Sequence, residues 1–227
     1  MKNKACLLCV LLACWGLLLA LPAQTPPPAP ASVRATVEQA AALKDDAPQK
    51  ALDLLATVIT VIPPDIQTDL DKAEHIAKLA VLFQSDRTYY DAALLAGSLQ
   101  LQIHSAGMAL RYYEAIWDAK QKSGIQDGEI YNRLGWAAYK SGDLDKAVKN
   151  FELAIATEEP LDPGTKDKPG TKEKARNNLG QVYFQMGNLP EAKKVWKQSS
   201  ILGSEFAKEA LAKIEEFEKA KAQESQK

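Results

Sequence analysis

Residues 131–154 read YNRLGWAAYKSGDLDKAVKNFELA, and a looser copy, RNNLGQVYFQMGNLPEAKKVWKQS, occupies residues 176–199. In the first, Leu134-Gly135 is followed twelve residues after the glycine by Ala147, then by Phe151 and Ala154. In the second, Leu179-Gly180 is followed at the same distance by Ala192, then by Trp196 and Ser199. A second glycine stands seven residues after the first in each copy, Gly142 and Gly187, between two helix-like patterns. Small residues at matched places on two antiparallel helices let the helices approach closely, and the aromatic fills the neighbouring gap. Such spacing marks a helical-hairpin repeat.

The composition agrees. The chain has 227 residues, of which 46% are hydrophobic and 25% charged, with a formal net charge of −1. Ala, Leu, Lys, Glu and Gln dominate, which favours helix. The expected fold is all-α, a solenoid of stacked antiparallel hairpins closed by a C-terminal capping helix. The charge balance offers neither disorder nor a general nucleic-acid surface.

The first 23 residues read as a signal peptide. Lys2 and Lys4 precede an almost wholly apolar run from Ala5 to Leu21, and Leu21-Pro22-Ala23 offers a cleavage site before Gln24. Two alternatives stand beside this, an uncleaved anchor and a lipoprotein modified at Cys14. Membrane association would arise only through one of them. All three cysteines, Cys6, Cys9 and Cys14, lie within the segment, so a cleaved chain would carry no thiol and no disulfide. The expected location is the periplasm or the extracellular medium.

Residues 24–31, with Pro26, Pro27, Pro28 and Pro30, read as an extended linker. Residues 32–123 form a degenerate hairpin region. Ser32 is expected to cap a first helix and Pro48 to start a second that runs to Ile62. Here Ala51 stands twelve residues after Gln39, where the repeat would have glycine. A helix over Asp65–Phe83 follows, with Thr68 and Asp71 as a weak start signal. Another carries Tyr89–Leu101, and Gly107 separates it from Met108–Lys122. This last pair holds a third copy of the spacing in Gly97, Ala109, Tyr113 and Ile116. The helix before it lacks a partner, so parity leaves the N-terminal register open.

Residues 124–202 hold the two clear repeats, with helices at Glu129–Lys140, Leu144–Thr157, Glu173–Met186 and Pro190–Ile201. Asp143 can cap the second of these. Residues 158–172, rich in Pro, Gly and charge, read as a loop inserted between hairpins. Residues 203–227 are the cap and tail, with Phe206, Ala210, Ile214 and Phe217 expected on one face.

These motifs resemble the tetratricopeptide repeat family over about Gly128 to Ile201. Ala138 replaces its usual Tyr and Ser199 its second-helix Ala. The resemblance implies a right-handed stack whose first helices line a concave groove for a protein or peptide. Positions three, four and seven apart share a helix face, so the groove stripe is Asn132, Trp136 and Tyr139 in one repeat. In the next it is Asn177, Gln181 and Phe184. The two asparagine amides could read an extended backbone, and the aromatics could anchor an interface. The Lys/Asn clamp that some members use for C-terminal carboxylates is incomplete, since Trp136 and Gln181 replace its second asparagine.

No residue is assigned to catalysis, metal binding or a cofactor. His75 and His104 fall on different helices without ligand spacing, and neither a phosphate loop nor a nucleophile elbow occurs. The function this predicts is that of an exported, non-enzymatic adaptor. The alternative is a structural component of a cell-envelope assembly whose N-terminal helices dock on a larger complex.

Overall fold

The computed structural model describes residues 30–59, 69–103, 106–157 and 171–224. The expected signal peptide and most of the linker lie outside these residues, as do Thr68, His104 and positions 158–170. The described residues form helices and turns without a strand. In chain order the helices are α1 (Pro30–Leu43), α2 (Pro48–Leu55), α3 (Asp69–Ser85), α4 (Arg87–Ile103) and α5 (Ala106–Ser123). They continue as α6 (Glu129–Ser141), α7 (Leu144–Ala156), α8 (Thr171–Gln185), α9 (Leu189–Ile201) and α10 (Glu205–Glu224). The architecture is an all-α solenoid of helical hairpins.

Each clear hairpin turns as its sequence dictates. Gly142 and Gly187 adopt φ of 87° and 75°, a left-handed conformation that glycine enters without steric cost. Asp143 then caps α7 by accepting from Lys146 N at 3.0 Å, and Asn188 caps α9 by accepting from Glu191 N at 3.4 Å. Pro190 sits in the first turn of α9, where its missing N–H costs nothing.

Hairpin closure depends on three glycine–aromatic pairs. A Cβ on Gly135 would stand 2.8 Å from Phe151 Cδ1, and one on Gly97 would stand 2.5 Å from Tyr113 Cε1. Gly180 meets the Trp196 indole in the same way. The spacing over Gly97–Ile116 is therefore a third hairpin of the same build, α4–α5.

The N-terminal register, left open by parity, is settled by packing. The α1–α2 hairpin leans on α4, while α3 lies against α5 and to a lesser extent α4. Gln84 Nε2 donates to Lys122 O at 2.8 Å, tying the C-terminal ends of α3 and α5 together. The conflict arises because α3 is an extra helix laid beside the stack.

Several boundaries differ from expectation. α1 begins at Pro30, which suits a helix start, so Ser32 lies inside the helix and Thr36 Oγ1 donates to its carbonyl. α2 gives way to turns at 56–59 and does not continue as helix toward Ile62. Gly107 lies within α5, and α8 starts at Thr171, inside the expected loop. On α10, Phe206, Ala210, Ile214 and Phe217 share one face and line a single cavity. Ile214 is buried with Ala207, but Phe206 and Phe217 are 49% and 59% exposed. α10 seats on α9 through Ala207 and Ile214, with the Phe206 ring edge-on to Trp196 at 6.2 Å between centroids.

Candidate functional site

The groove surface builds up from the first helices of successive hairpins. On α6, Trp136 and Tyr139 are three residues apart and stack, with ring centroids 5.3 Å apart and planes at 27°. Lys140 Nζ lies 5.7 Å from the Trp136 ring centroid, within reach of a cation–π attraction. The Tyr139 hydroxyl accepts from Gln181 Nε2 at 3.3 Å, which carries the surface from α6 to α8. Gln181 in turn lines an apolar cavity of about 260 Å³ with Phe184, Trp196, Phe206 and Phe217. Phe184 is 50% exposed at its mouth. Trp136, Tyr139, Gln181 and Phe184 thus form one continuous surface across α6 and α8, extended by α10.

The two asparagines do something else. Asn132 is buried, 2% exposed. Its Oδ1 accepts from Asn178 Nδ2 at 3.2 Å, and its Nδ2 approaches the Glu129 carboxylate at 3.3 Å. Asn177 Nδ2 donates to Ser204 Oγ at 2.9 Å while its Oδ1 accepts from Ser199 Oγ at 2.7 Å. Ser204 Oγ also accepts from Ala207 N, capping α10. Each asparagine therefore ties its own hairpin to the next first helix, Asn132 to α8 and Asn177 to α10. This corrects the expectation that both amides are presented to a partner's backbone, since residues of their own hairpin and of the next helix already engage them.

Sequence reasoning missed the ionised cluster at the start of α6. Asp127, 1% exposed, accepts from Glu129 N at 2.9 Å and lies 3.6 Å from an Arg87 guanidinium nitrogen. Burial pushes its carboxyl above the usual range, against the pull of the Glu129 N–H, the Tyr90 hydroxyl, Arg87 and Arg133. Asp127-Gly128-Glu129 does carry a capping signal. What the sequence lacks is any local sign that α4 buries it.

A second cavity, of about 310 Å³, opens between α4, α5, α6 and α8, with Arg133, Trp136 and Lys174 in its wall. Among the described residues no group of three or more His, Cys, Asp or Glu could hold a metal ion. No described helix is long and apolar enough to cross a membrane.

Hairpins closed by glycine–aromatic pairs and stacked through their first helices define a helical-repeat scaffold. Residues 128–159 match one family model described as a tetratricopeptide repeat and residues 174–200 match another. Such repeats mediate protein–protein interaction. Among solved structures, the chain is similar to MamA at 19% identity, over 71% of this chain and 99% of that one, with a TM-score of 0.42. It is similar to BtubC (BKLC) from P. vanneervenii at 18% identity, over 76% and 88%, with a TM-score of 0.46. MamA 41-end from Desulfovibrio magneticus RS-1 is 17% identical over 75% and 94%, with a TM-score of 0.40. No curated protein matches.

Proposed function

We propose that the chain is an exported, non-catalytic adaptor that holds a protein or peptide segment in the groove formed by α6, α8 and α10. The observation that carries this is the aromatic surface running from the Trp136–Tyr139 stack through Gln181 to Phe184 and the cavity beneath α10. Large side chains elsewhere in the repeats are mostly buried, whereas here they are partly exposed on one side of three helices. Half-exposed aromatics beside an apolar cavity are the usual anchors of an interface.

The test is recovery of bound proteins by the full chain and by a Trp136→Ala/Phe184→Ala variant. Each truncation at an anchor costs more than about 1 kcal/mol, and together they should weaken binding roughly a hundredfold. Helicity and melting temperature should stay close to wild type. Equal recovery of the same partners by a folded variant would remove the groove assignment.

The export reading is supported by the basic, apolar and small-residue order of the first 23 residues. N-terminal sequencing and mass of the chain in its native cell should show a start at Gln24. A lipid-bearing Cys14 or an intact Met1 would replace the soluble location with a membrane-attached one.

A further inference from the structure

The cavity between α4, α5, α6 and α8 adjoins the aromatic surface at Trp136 but has a different chemistry. Three ionised side chains line it, Arg133, Lys174 and Glu129, two cationic and one anionic. Arg133 is the most telling. Its Nε is buried and has no hydrogen-bond partner among the described residues. A buried donor without an acceptor is destabilising; the same guanidinium meets the Tyr113 hydroxyl, and a carboxylate would lie on its remaining N–H groups in the cavity wall. Lys174 is 68% exposed and lies 3.6 Å from the Glu129 carboxylate. The Asn132 amide reaches that carboxylate only at 3.3 and 3.4 Å. The Lys174 contact is long for a charged pair, so Glu129 only partly engages that lysine. Asp127, the other carboxylate near Arg133, is shared with the α6 N-terminus and Arg87. Trp136 and Leu101 supply apolar wall.

We infer that this cavity receives an internal acidic side chain, Asp or Glu, of the segment bound in the groove. Its carboxylate lies on Arg133 and Lys174 and its stem lies against Trp136. The inference rests on the groove reading and adds a charge requirement to it. It differs from the Lys/Asn clamp for chain ends, because Trp136 stands in place of the second asparagine and the enclosed cation is an arginine on α6. Glu129 is then a built-in competitor, an anion of the chain itself at the edge of the site.

Selection of a random dodecapeptide library on the immobilised full chain tests this. Peptides are displayed as N-terminal fusions, so that no free C-terminal carboxylate is offered. Asp or Glu should be enriched at one fixed distance from a large apolar residue. Arg133→Met should abolish that enrichment and weaken the selected peptides more than about tenfold, with Arg133→Lys restoring part of it. Exposed Lys174→Met should weaken them about threefold, and Glu129→Gln should tighten them by about three- to tenfold. If Arg133→Met does not fold, the opposed effects of the last two variants decide the matter. Peptides that depend on Trp136 and Phe184 but show no acidic position would overturn this inference and leave the groove intact. Peptides indifferent to the Trp136→Ala/Phe184→Ala variant would overturn the groove reading itself, and this inference with it. Saturation by free glutarate at millimolar concentration, with no acidic preference among peptides, would assign the cavity to a small acid and also overturn it.

Discussion

Phe151→Ala lowers the unfolding free energy by about 3–5 kcal/mol, and Gly135→Ala, costly on its own, becomes favourable once that ring is gone. Phe151 is fully buried and lies over Gly135. Its removal loses the transfer free energy of the ring and leaves a cavity that the hairpin cannot collapse around. The reverse substitution meets the opposite problem. A Cβ on Gly135 would stand 2.8 Å from Phe151 Cδ1 and Cε1, well inside the roughly 3.5–4.0 Å at which carbons attract. Overpacking of this kind costs about 1–3 kcal/mol, only partly offset by the ~1 kcal/mol that alanine gains over glycine in a helix. With the ring removed the methyl enters vacant space and the helical gain stands alone. Urea unfolding of the two single variants and the double variant should give a coupling of about 1–3 kcal/mol. Equal cost of Gly135→Ala in both backgrounds would show that the pair does not set the hairpin spacing.

That pair is also why the C-terminal half of the fold was legible. A glycine and an aromatic sixteen residues apart encode one close approach between two consecutive helices, so the information is local. The third copy, Gly97 with Tyr113, was readable for the same reason. Before it the code fails. Ala40, fully buried in α1, sits one place beyond the Gln39 that the spacing singled out, and nothing in α3 announces that it packs beside the stack. The site divides in the same way. Trp136, Tyr139, Gln181 and Phe184 follow from the helical stripe alone. Whether Asn132 and Asn177 offer free amides depends on Asn178 and Ser204, which belong to the next first helix and lie well along the chain. The α10 stripe was legible as one shared face, but not that Ile214 is buried with Ala207 while the phenylalanines stay half-exposed. Arg133 and Asp127 were missed because ordinary charged residues on a helix are solvated by default, and only the arrival of α4 and α5 encloses them.

Asp127→Ala should cost about 3 kcal/mol, and Asp127→Asn about 1 kcal/mol less. The carboxylate caps α6 through the Glu129 N–H, and losing a cap of this kind costs about 1 kcal/mol. It is also the buried anion beside Arg133 and the partner of Arg87, and an enclosed guanidinium stripped of its counter-charge is strongly destabilising. Asparagine keeps an oxygen for the cap but carries no charge, so it spares the cap's contribution and still leaves Arg133 and Arg87 without this anion. The pH dependence separates the two contributions. Burial holds the Asp127 carboxyl above its ordinary value in the folded chain, so the folded state binds this proton more tightly than the unfolded one. Between the two values stability must fall as pH rises. Wild type should therefore gain on Asp127→Asn as pH drops from the raised folded value toward the ordinary carboxylate range, and lose that gain on the way back. Asp91, raised chiefly by burial, is raised further by the Asp127 charge, so the two carboxyls are coupled and contribute to the difference in the same sense. Chemical denaturation of wild type and Asp127→Asn across that interval measures it directly. A difference that stays flat, or grows in favour of the variant as pH falls, would mean that Asp127 is not the buried acid joining α4 to the repeats.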